Sequence, residues 1–290
     1  MTTDRELDRL VAAALDEDAP WGDLTSETLI PADAVADAAL VAREAGVLSG
    51  SDAFRAAFRL VDPAIEVGFL VHDGGRFEAG QTLATVRGPA RGVLTAERVG
   101  LNLVQRMSGI ATLTAEYVAA VADTRARIVD TRKTTPGLRS LERRAVRDGG
   151  GRNHRRSLSD AVMAKDNHLA VLTSGGLDLA TALRGARERL GHTVHLEVEV
   201  DRLDQLDAVL DGGADTIMLD NFPLDELVAG VERIAGRAIV EASGGVTLDT
   251  VAAIAATGVD VISVGALTHS VRSLDLGLDL DVHASGGTAP

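Results

Sequence analysis

A short segment in the middle of the chain combines cationic side chains that could bind an anion. The run D-T-R-K-T-T-P-G-L-R places Arg132 and Lys133 directly after a predicted buried strand from Arg127 to Asp130. Successive residues of an extended chain point to opposite sides, so one of these two cations points into the mouth at the carboxyl end of the strand. A planar guanidinium fork or a compact ammonium at that position suits a carboxylate or a phosphate.

The basic residues around this segment form an island in an acidic protein. The chain carries a formal net charge of −14, yet the stretch from Arg132 to Lys165 holds ten Lys and Arg against three Asp and Glu. Of the 29 basic residues only Lys133 and Lys165 are lysines, and both lie in this stretch. Because arginine supplies the surface charge elsewhere, two lysines at this place indicate a need for flexible ammonium groups.

A second motif in the island is the run G-G-G-R-N-H-R at residues 149–155. Glycines allow unusual backbone angles and a close approach of a ligand, although a flexible loop has the same composition. His154 and Arg155 at the end of the run favour a binding site, since arginine offers a planar fork to a carboxylate.

Two acidic side chains end separate strand candidates, Glu199 in E-V-E-V and Asp220 in M-L-D-N. Carboxylates beside a basic pocket can hold a substrate-bound magnesium ion or ribose hydroxyls, and they can equally form ordinary ion pairs with the neighbouring cations. Glu197 and Glu199 share one face of an alternating strand, so their spacing does not choose between them.

Small residues follow two later strand candidates, at Ser243-Gly244-Gly245 and at Gly265-Ala266. Each group precedes a helical pattern, so its backbone N–H groups could bind a phosphate. Single glycine pairs are also common in turns, so the prediction depends on both groups lying at the same edge of a sheet.

The elements that position these residues alternate between strand and helix. The predicted strands are Arg127 to Asp130, Ala161 to Ala164, Val194 to Val200, Thr216 to Leu219, Ala238 to Val240 and Val259 to Val264. The predicted helices are Leu177 to Leu190, Leu203 to Leu210, Leu224 to Ile234 and Thr250 to Ala256. This alternation is typical of an α/β barrel, whose active site lies at the carboxyl ends of the strands.

The first hundred residues have a different pattern, with strand candidates at Ala38 to Val47, Ile65 to Val71 and Thr82 to Val86 separated by turn residues. A helix from Leu94 to Met107 follows and carries Arg98. We expect a small α/β domain over 1–107, on which residues 276–290 pack, and an open barrel over 108–275.

Composition excludes several classes of protein. The chain contains no cysteine, so disulfide scaffolds, thiolate zinc sites and a cysteine nucleophile are excluded. The net negative charge argues against binding to nucleic acid or to anionic membranes. The charged N-terminus does not have the pattern of a signal peptide and no apolar run is long enough to span a bilayer, so we expect a cytoplasmic protein.

Taken in order along the chain, the motifs resemble one known family. They are G-D-L-T, R-E-A-G-V-L-S-G, E-R-V-G-L-N-L-V-Q-R-M-S-G-I-A-T, D-T-R-K-T-T-P-G-L-R, G-G-G-R-N-H-R, A-K-D-N-H, E-V-E-V, M-L-D-N, A-S-G-G-V and V-G-A-L-T-H-S. Together they cover most of the chain and resemble the quinolinate phosphoribosyltransferases, also called nicotinate-nucleotide pyrophosphorylases (carboxylating). The resemblance implies an N-terminal α/β sandwich, an open α/β barrel and a homodimer.

The resemblance also implies roles for the individual residues. Quinolinate would bind among Arg132, His154, Arg155 and Lys165, with Arg139 in support, Thr131 beside them and Arg98 reaching the site of the partner subunit. Lys133, Glu199 and Asp220 would hold phosphoribosyl pyrophosphate with its Mg²⁺, and together with Lys165 they would be the catalytic group. Ser243, Gly244 and Gly245 with Val264, Gly265 and Ala266 would bind its 5-phosphate, with His269 close by.

Other interpretations remain open at this point. A phosphoribosyltransferase-like protein of molybdenum-transport operons shares T-R-K-T-T-P-G, although K-D-N-H from Lys165 to His168 favours the first family. A barrel aldolase would use Lys133 or Lys165 to form a Schiff base. A regulatory barrel would bind the anion without turnover.

Overall fold

The computed structural model describes residues 4–283 and divides the chain into two compact units. One unit contains the described residues up to Ala115, together with Thr134–Gly150 and those from Val271 onward. The other contains Glu116–Lys133 and Gly151–Ser270. Thr134–Gly150, which the expected boundaries assign to the barrel, thus cluster with the first unit.

The first unit consists of an antiparallel sheet with helices. Its elements in chain order are α1 (Asp4–Asp18), α2 (Leu24–Leu29), β1 (Val35–Ala42), β2 (Gly46–Val47), α3 (Ser51–Val61), β3 (Glu66–Phe69), β4 (Arg76–Phe77), β5 (Thr82–Pro89), the first part of α4 (Ala90–Ala120), α5 (Arg139–Asp148) and β12 (Leu276–His283). Four strands form a sheet in the order β12-β1-β5-β3, and β2 pairs separately with β4. Residues 284–290 of the expected C-terminal segment lie outside the described residues.

The core of this unit follows from alternation along β1. Every second residue of this strand is buried, including Ala36 and Leu40. Phe54 and Phe58 of α3 belong to the same apolar cluster, with ring centroids 4.8 Å apart. One face of the sheet therefore forms a core with α3, as an α/β sandwich requires.

The second unit alternates strands with helices. Its elements are β6 (Arg127–Val129), β7 (Val162–Ala164), α6 (Asp166–Thr173), α7 (Leu179–Glu188), β8 (Leu196–Val200), a 3-10 helix (Leu203–Gln205), α8 (Leu206–Asp211), β9 (Thr216–Asp220), α9 (Leu224–Ile234), β10 (Ile239–Ser243), α10 (Leu248–Ala256), β11 (Val261–Ser263) and α11 (Ala266–His269). All six strands run parallel in the order β6-β11-β10-β9-β8-β7. Within the described residues β6 and β7 do not pair with each other, so the predicted open α/β barrel is confirmed.

The register of the parallel strands brings the ends of neighbouring strands together. Asp220 at the end of β9 lies opposite Ser243 at the end of β10. Ala164 lies opposite Val198, which places Lys165 next to the end of β8. Side chains that follow different strands therefore meet at one edge of the sheet, as expected for parallel βα units.

Helices α4 and α8 and strand β1 differ most from the sequence-based expectation. Helix α4 extends over 31 residues, from Ala90 to Ala120, well beyond the predicted Leu94 to Met107. The predicted helix over Leu203 to Leu210 begins as a 3-10 turn and continues as α8. The strand expected over Ala38 to Val47 is interrupted between β1 and β2.

Among residues 4–283, no helix has the length and apolar character needed to cross a bilayer.

Candidate active site

A cavity of about 300 Å³ lies at the carboxyl ends of the strands in the second unit. The predicted residues that line it are Thr131, Arg132, Lys133, His154, Arg155, Lys165, Glu199, Asp220 and Ser243. Met163, Met218, Glu241 and Ser263 line it as well, and sequence reasoning assigned them no role. Larger surface depressions lie elsewhere, but this cavity combines convergent cations and carboxylates at the edge where α/β barrels bind substrates.

The loop after β6 carries the first pair of cations. The Lys133 N–H donates to Thr131 Oγ1 at 3.1 Å, and the Thr268 hydroxyl donates to the Lys133 carbonyl at 2.7 Å. These bonds fix the backbone at both sides of the Lys133 side chain. The loop therefore presents Arg132 and Lys133 to the cavity from a fixed backbone.

Asp130, which is fully buried, anchors the segment that carries His154. Its carboxylate accepts hydrogen bonds from Asn153 Nδ2 at 2.6 Å and from the His154 N–H at 2.7 Å. Arg152 pairs in parallel with Val129 of β6 through two further backbone bonds. The segment thus runs as an extra strand-like stretch beside β6.

The glycines before this segment serve packing in the first unit. A Cβ atom on Gly149 would lie 2.3 Å from the carbonyl oxygen of Ala111, so only glycine fits there. Gly150 has a φ of 88°, a conformation that glycine adopts without strain. The close approach at Gly149 is therefore to another backbone.

His154 lies between two buried carboxylates. Its Nε2 is 3.1 Å from Glu197 and 3.4 Å from Glu241, and each of these glutamates is 3% exposed. Burial disfavours a charged ring, but the hydrogen bonds to Glu197 and Glu241 outweigh it and raise the pKa of His154 to about 10. The Arg155 N–H, 2.7 Å from Nδ1, favours an unprotonated Nδ1. The charges of the two glutamates outweigh the dipole of this one N–H group, so protonation of both ring nitrogens is favoured. Nε2 carries a proton whether or not Nδ1 does.

The pKa of Glu197 is raised for related reasons. Burial is the main cause, the hydrogen bond from His154 opposes it, and the charge of Glu241 adds to it. Alternation along β8 places Glu197 and Glu199 on one face, yet the two carboxylates have different partners. Glu197 contacts His154, whereas Glu199 forms an ion pair with Lys165.

The residue after β9 is in close contact with the end of β10 and the loop that follows it. The Asn221 N–H donates to the Ser243 carbonyl at 2.8 Å, and Asn221 Nδ2 donates to Asp220 Oδ2 at 2.7 Å. Gly244 has a φ of 94°, and a Cβ there would lie 2.1 Å from Asn221 Oδ1. Glycine is thus required for the Asn221 side chain to support Asp220.

The remaining predicted phosphate residues lie in sequence next to cavity residues. Val264 is buried and its N–H donates to the Val129 carbonyl at 3.0 Å, while Gly265 precedes α11, which begins at Ala266. His269 at the end of α11 is exposed, and its Nδ1 is 2.6 Å from the Ser270 hydroxyl. None of these four residues lines the cavity itself.

Arg98 and Arg139 belong to the first unit. Arg98 is exposed on α4, and Arg139 begins α5 with its Nε bonded to Thr134 Oγ1 at 3.0 Å. Neither residue lines the cavity of the second unit.

Two groups of side chains have oxygen donors that suit a cation. Glu199 and Asp220 both line the cavity, and Mg²⁺ typically takes one or two carboxylates together with substrate phosphates. His154, Glu197 and Glu241 place one ligand atom each within 4.8 Å of one another. Glu199 and Asp220 are half-buried and fit a magnesium–phosphate complex, whereas both glutamates of the second group are buried.

Glu241 is the charged residue of the cavity that sequence reasoning missed. The predicted strand ended at Val240, but β10 continues to Ser243. Residues two apart on a strand share a face, so a strand that ends at Ser243 places Glu241 on the same side. That alternation was the available signal.

Comparison with known proteins supports the family that the sequence motifs resemble. Two family models match the chain: the N-terminal domain of quinolinate phosphoribosyl transferase over residues 23–108 and its C-terminal domain over residues 110–279. The nicotinate-nucleotide pyrophosphorylase [carboxylating] of Mycobacterium leprae is 47% identical over 97% of this chain and 100% of its own length. A probable enzyme of the same name from Bacillus subtilis is 43% identical over 91% of this chain and 90% of its own length.

Solved structures agree with the sequence comparison. NadC from Streptococcus pyogenes superposes with a TM-score of 0.91 at 39% identity, covering 97% of this chain and 98% of its own. The nicotinate-nucleotide pyrophosphorylase from Francisella tularensis gives a TM-score of 0.90 at 35% identity, with coverage of 97% and 98%. These matches support the expected family over the molybdenum-transport group. The chain belongs to the quinolinate phosphoribosyltransferase family.

Proposed function

We propose that the protein transfers the phosphoribosyl group of phosphoribosyl pyrophosphate to quinolinate and removes one carboxylate. The products are nicotinate mononucleotide, pyrophosphate and carbon dioxide, a step of NAD biosynthesis. The observation that carries the proposal is the cavity, where cationic side chains face carboxylates at the carboxyl ends of the strands. Family membership supports this reaction over simple anion binding.

The electrostatics of the cavity suit a dianionic substrate. Burial lowers the pKa of Arg155, and the nearby charge of Arg132 lowers it further. Two guanidinium groups that repel each other in a partly buried site are stabilised when carboxylates bind between them. Quinolinate carries two adjacent carboxylates, so it fits this arrangement better than nicotinate, which carries one.

The transfer step requires little covalent chemistry from the protein. The quinolinate nitrogen donates its lone pair to the anomeric carbon, and the bond from that carbon to pyrophosphate breaks with its electron pair. The residues of the cavity align the two substrates and neutralise their charges, which can supply most of the rate acceleration.

The second step breaks a carbon–carbon bond. Alkylation makes the ring nitrogen a pyridinium centre, so the electron pair left behind by carbon dioxide is stabilised next to it. A proton then replaces the lost carboxylate. Lys165 and Arg155 hold the substrate ring while this carboxylate leaves, and no protein nucleophile is involved.

Phosphoribosyl pyrophosphate is proposed to bind at the carboxylate side of the cavity. Mg²⁺ would neutralise the departing pyrophosphate, and Glu199 and Asp220 would hold the metal complex, with Lys133 on the phosphates. Ser243, Gly244 and Gly245 would offer N–H groups to the 5-phosphate, with Val264, Gly265 and Ala266 opposite and His269 nearby. Thr131 and Arg139 would support the quinolinate side.

The assembly is proposed to be a homodimer in the cytoplasm. Arg98 is exposed on α4, so it is accessible to a second subunit, where it would contact quinolinate. The site would then be complete only in the dimer.

Substrate dependence of pyrophosphate release tests the proposal. Purified protein with Mg²⁺ and phosphoribosyl pyrophosphate is assayed with quinolinate, with nicotinate and without acceptor. Pyrophosphate release with quinolinate, but not with nicotinate or without an acceptor, supports the function. A pure binder releases no pyrophosphate in a single turnover, and borohydride trapping of a substrate on Lys133 or Lys165 would indicate an aldolase.

A further inference from the structure

The buried group formed by His154, Glu197 and Glu241 is not required by the mechanism above. One Nε2–H faces two carboxylates at 3.1 and 3.4 Å, so it cannot satisfy both fully. Glu241 Oε1 is buried and has no hydrogen-bond partner among the described residues. Two carboxylates buried so close together are costly unless a cation or a shared proton compensates them.

The backbone of His154 is fixed independently of its ring. The His154 N–H donates to the fully buried Asp130, so the position of Cα is set from the β6 side. The carboxylates approach from β8 and β10, on which Glu197 and Glu241 lie. With the backbone held on one side and Nε2 on the other, rotation of the ring about its side-chain bonds is restricted.

We propose that Glu241 and Glu197 are positioning residues for quinolinate binding, which hold the His154 ring through Nε2, with Nδ1 against the Arg155 N–H, and so orient His154 and Arg155 in the cavity. The inference rests on the proposed function, since it assumes that quinolinate enters this cavity. Glu241 and Glu197 act through His154 and touch no substrate in this account.

The alternative occupant of the group is a divalent cation. His154 and two glutamates are common ligands of zinc and manganese, and their donor atoms lie within 4.8 Å of one another. A metal needs an unprotonated Nε2, whereas both carboxylates favour a proton on that atom. The positive charge of Arg155, which interacts with Glu197, further disfavours a cation there.

Nitrogen-15 NMR of the histidine rings tests the proposal without any activity. The His154 signals are assigned by their loss in His154→Gln. We expect wild-type Nε2 to be protonated at neutral pH and to keep its proton when quinolinate binds. An unprotonated Nε2 in the free protein, or one that loses its proton when Zn²⁺ is added at micromolar concentration, would overturn the proposal.

Kinetics of Glu241→Gln provide the second test. This variant keeps the shape of the side chain and removes its charge, so we expect the KM for quinolinate to rise roughly tenfold, as for a lost charge-assisted hydrogen bond. The KM for phosphoribosyl pyrophosphate should change less than about twofold. Glu241→Asp, which keeps the charge, should lie closer to wild type.

The matched control is Glu232→Gln, which neutralises an exposed glutamate of α9 in the same unit. Unchanged quinolinate KM in Glu241→Gln, or an equal rise for both substrates, contradicts a positioning role. If Glu241→Gln does not fold, the wild-type NMR result still decides. An inactive wild type with a protonated Nε2 would refute the function and leave the ring geometry standing.

Discussion

The ammonium group of Lys165 forms an ion pair with the carboxylate of Glu199 across the cavity. Lys165 is proposed to bind quinolinate, and Glu199 is proposed to hold the magnesium complex of the other substrate. In the free protein the two side chains therefore neutralise each other. Substrate binding must exchange this ion pair for two new ones, one on each side of the cavity.

Replacement of Lys165 should separate activity from stability. The Lys165 side chain is 44% exposed, so the ion pair contributes about 1 kcal/mol or less to the free energy of unfolding. Lys165→Ala should lower kcat/KM for quinolinate at least roughly 100-fold, because a charged group at the reacting ring is lost. Urea unfolding and steady-state kinetics measure the two effects. A large loss of stability with little loss of activity would make Lys165 structural.

Arg155 and Lys133 should contribute to the binding of different substrates. Arg155→Ala should raise the KM for quinolinate and Lys133→Ala the KM for phosphoribosyl pyrophosphate, each roughly tenfold or more. The control is Arg156→Ala, an exposed neighbour of Arg155 that does not line the cavity. Near-normal kinetics in both test variants would show that the assignment of the cavity is wrong.

The charge of His154 predicts a pH-dependent contribution to stability. Its folded-state pKa of about 10 lies above the ordinary value of 6.5, so the stabilisation is complete below about pH 6.5 and is lost as the pH rises toward 10. The difference in unfolding free energy between wild type and His154→Gln should therefore shrink over that range. Urea unfolding at about pH 6, 8 and 10 measures it, and a constant difference would contradict the raised pKa.

The Gly244 turn should tolerate no side chain. Gly244→Ala places a methyl group against Asn221 and requires a positive φ, so we expect destabilisation of about 1–3 kcal/mol and a higher KM for phosphoribosyl pyrophosphate. Gly245→Ala is the matched control, since its φ is also positive but no atom lies within 4 Å of the added Cβ. Equal effects of the two substitutions would show that backbone strain alone matters.

The parallel sheet was predictable because each of its strands carries a local signal. Short β-branched runs followed by amphipathic helices predicted all six strands, within a few residues of those observed. The site followed, since polar residues at strand ends converge at one edge. Glu241 was missed because the end of β10 was placed three residues early, so its face could not be assigned.

Long-range pairing was not predictable from local pattern. Strand β12 pairs with β1, which lies more than two hundred residues earlier in the chain. The local pattern of neither segment indicates which strand it pairs with. Thr134–Gly150 clusters with the first unit although it lies in sequence between parts of the second. The pairing of Glu197 with His154 was also hidden, because alternation makes Glu197 and Glu199 equivalent until their neighbours are known.

Release of carbon dioxide tests the central claim most directly. The protein is incubated with Mg²⁺, phosphoribosyl pyrophosphate and quinolinate labelled in the carboxylate beside the ring nitrogen. We predict labelled carbon dioxide that depends on phosphoribosyl pyrophosphate and disappears when Mg²⁺ is chelated. Folded protein that binds quinolinate but releases no label under these conditions would contradict the account.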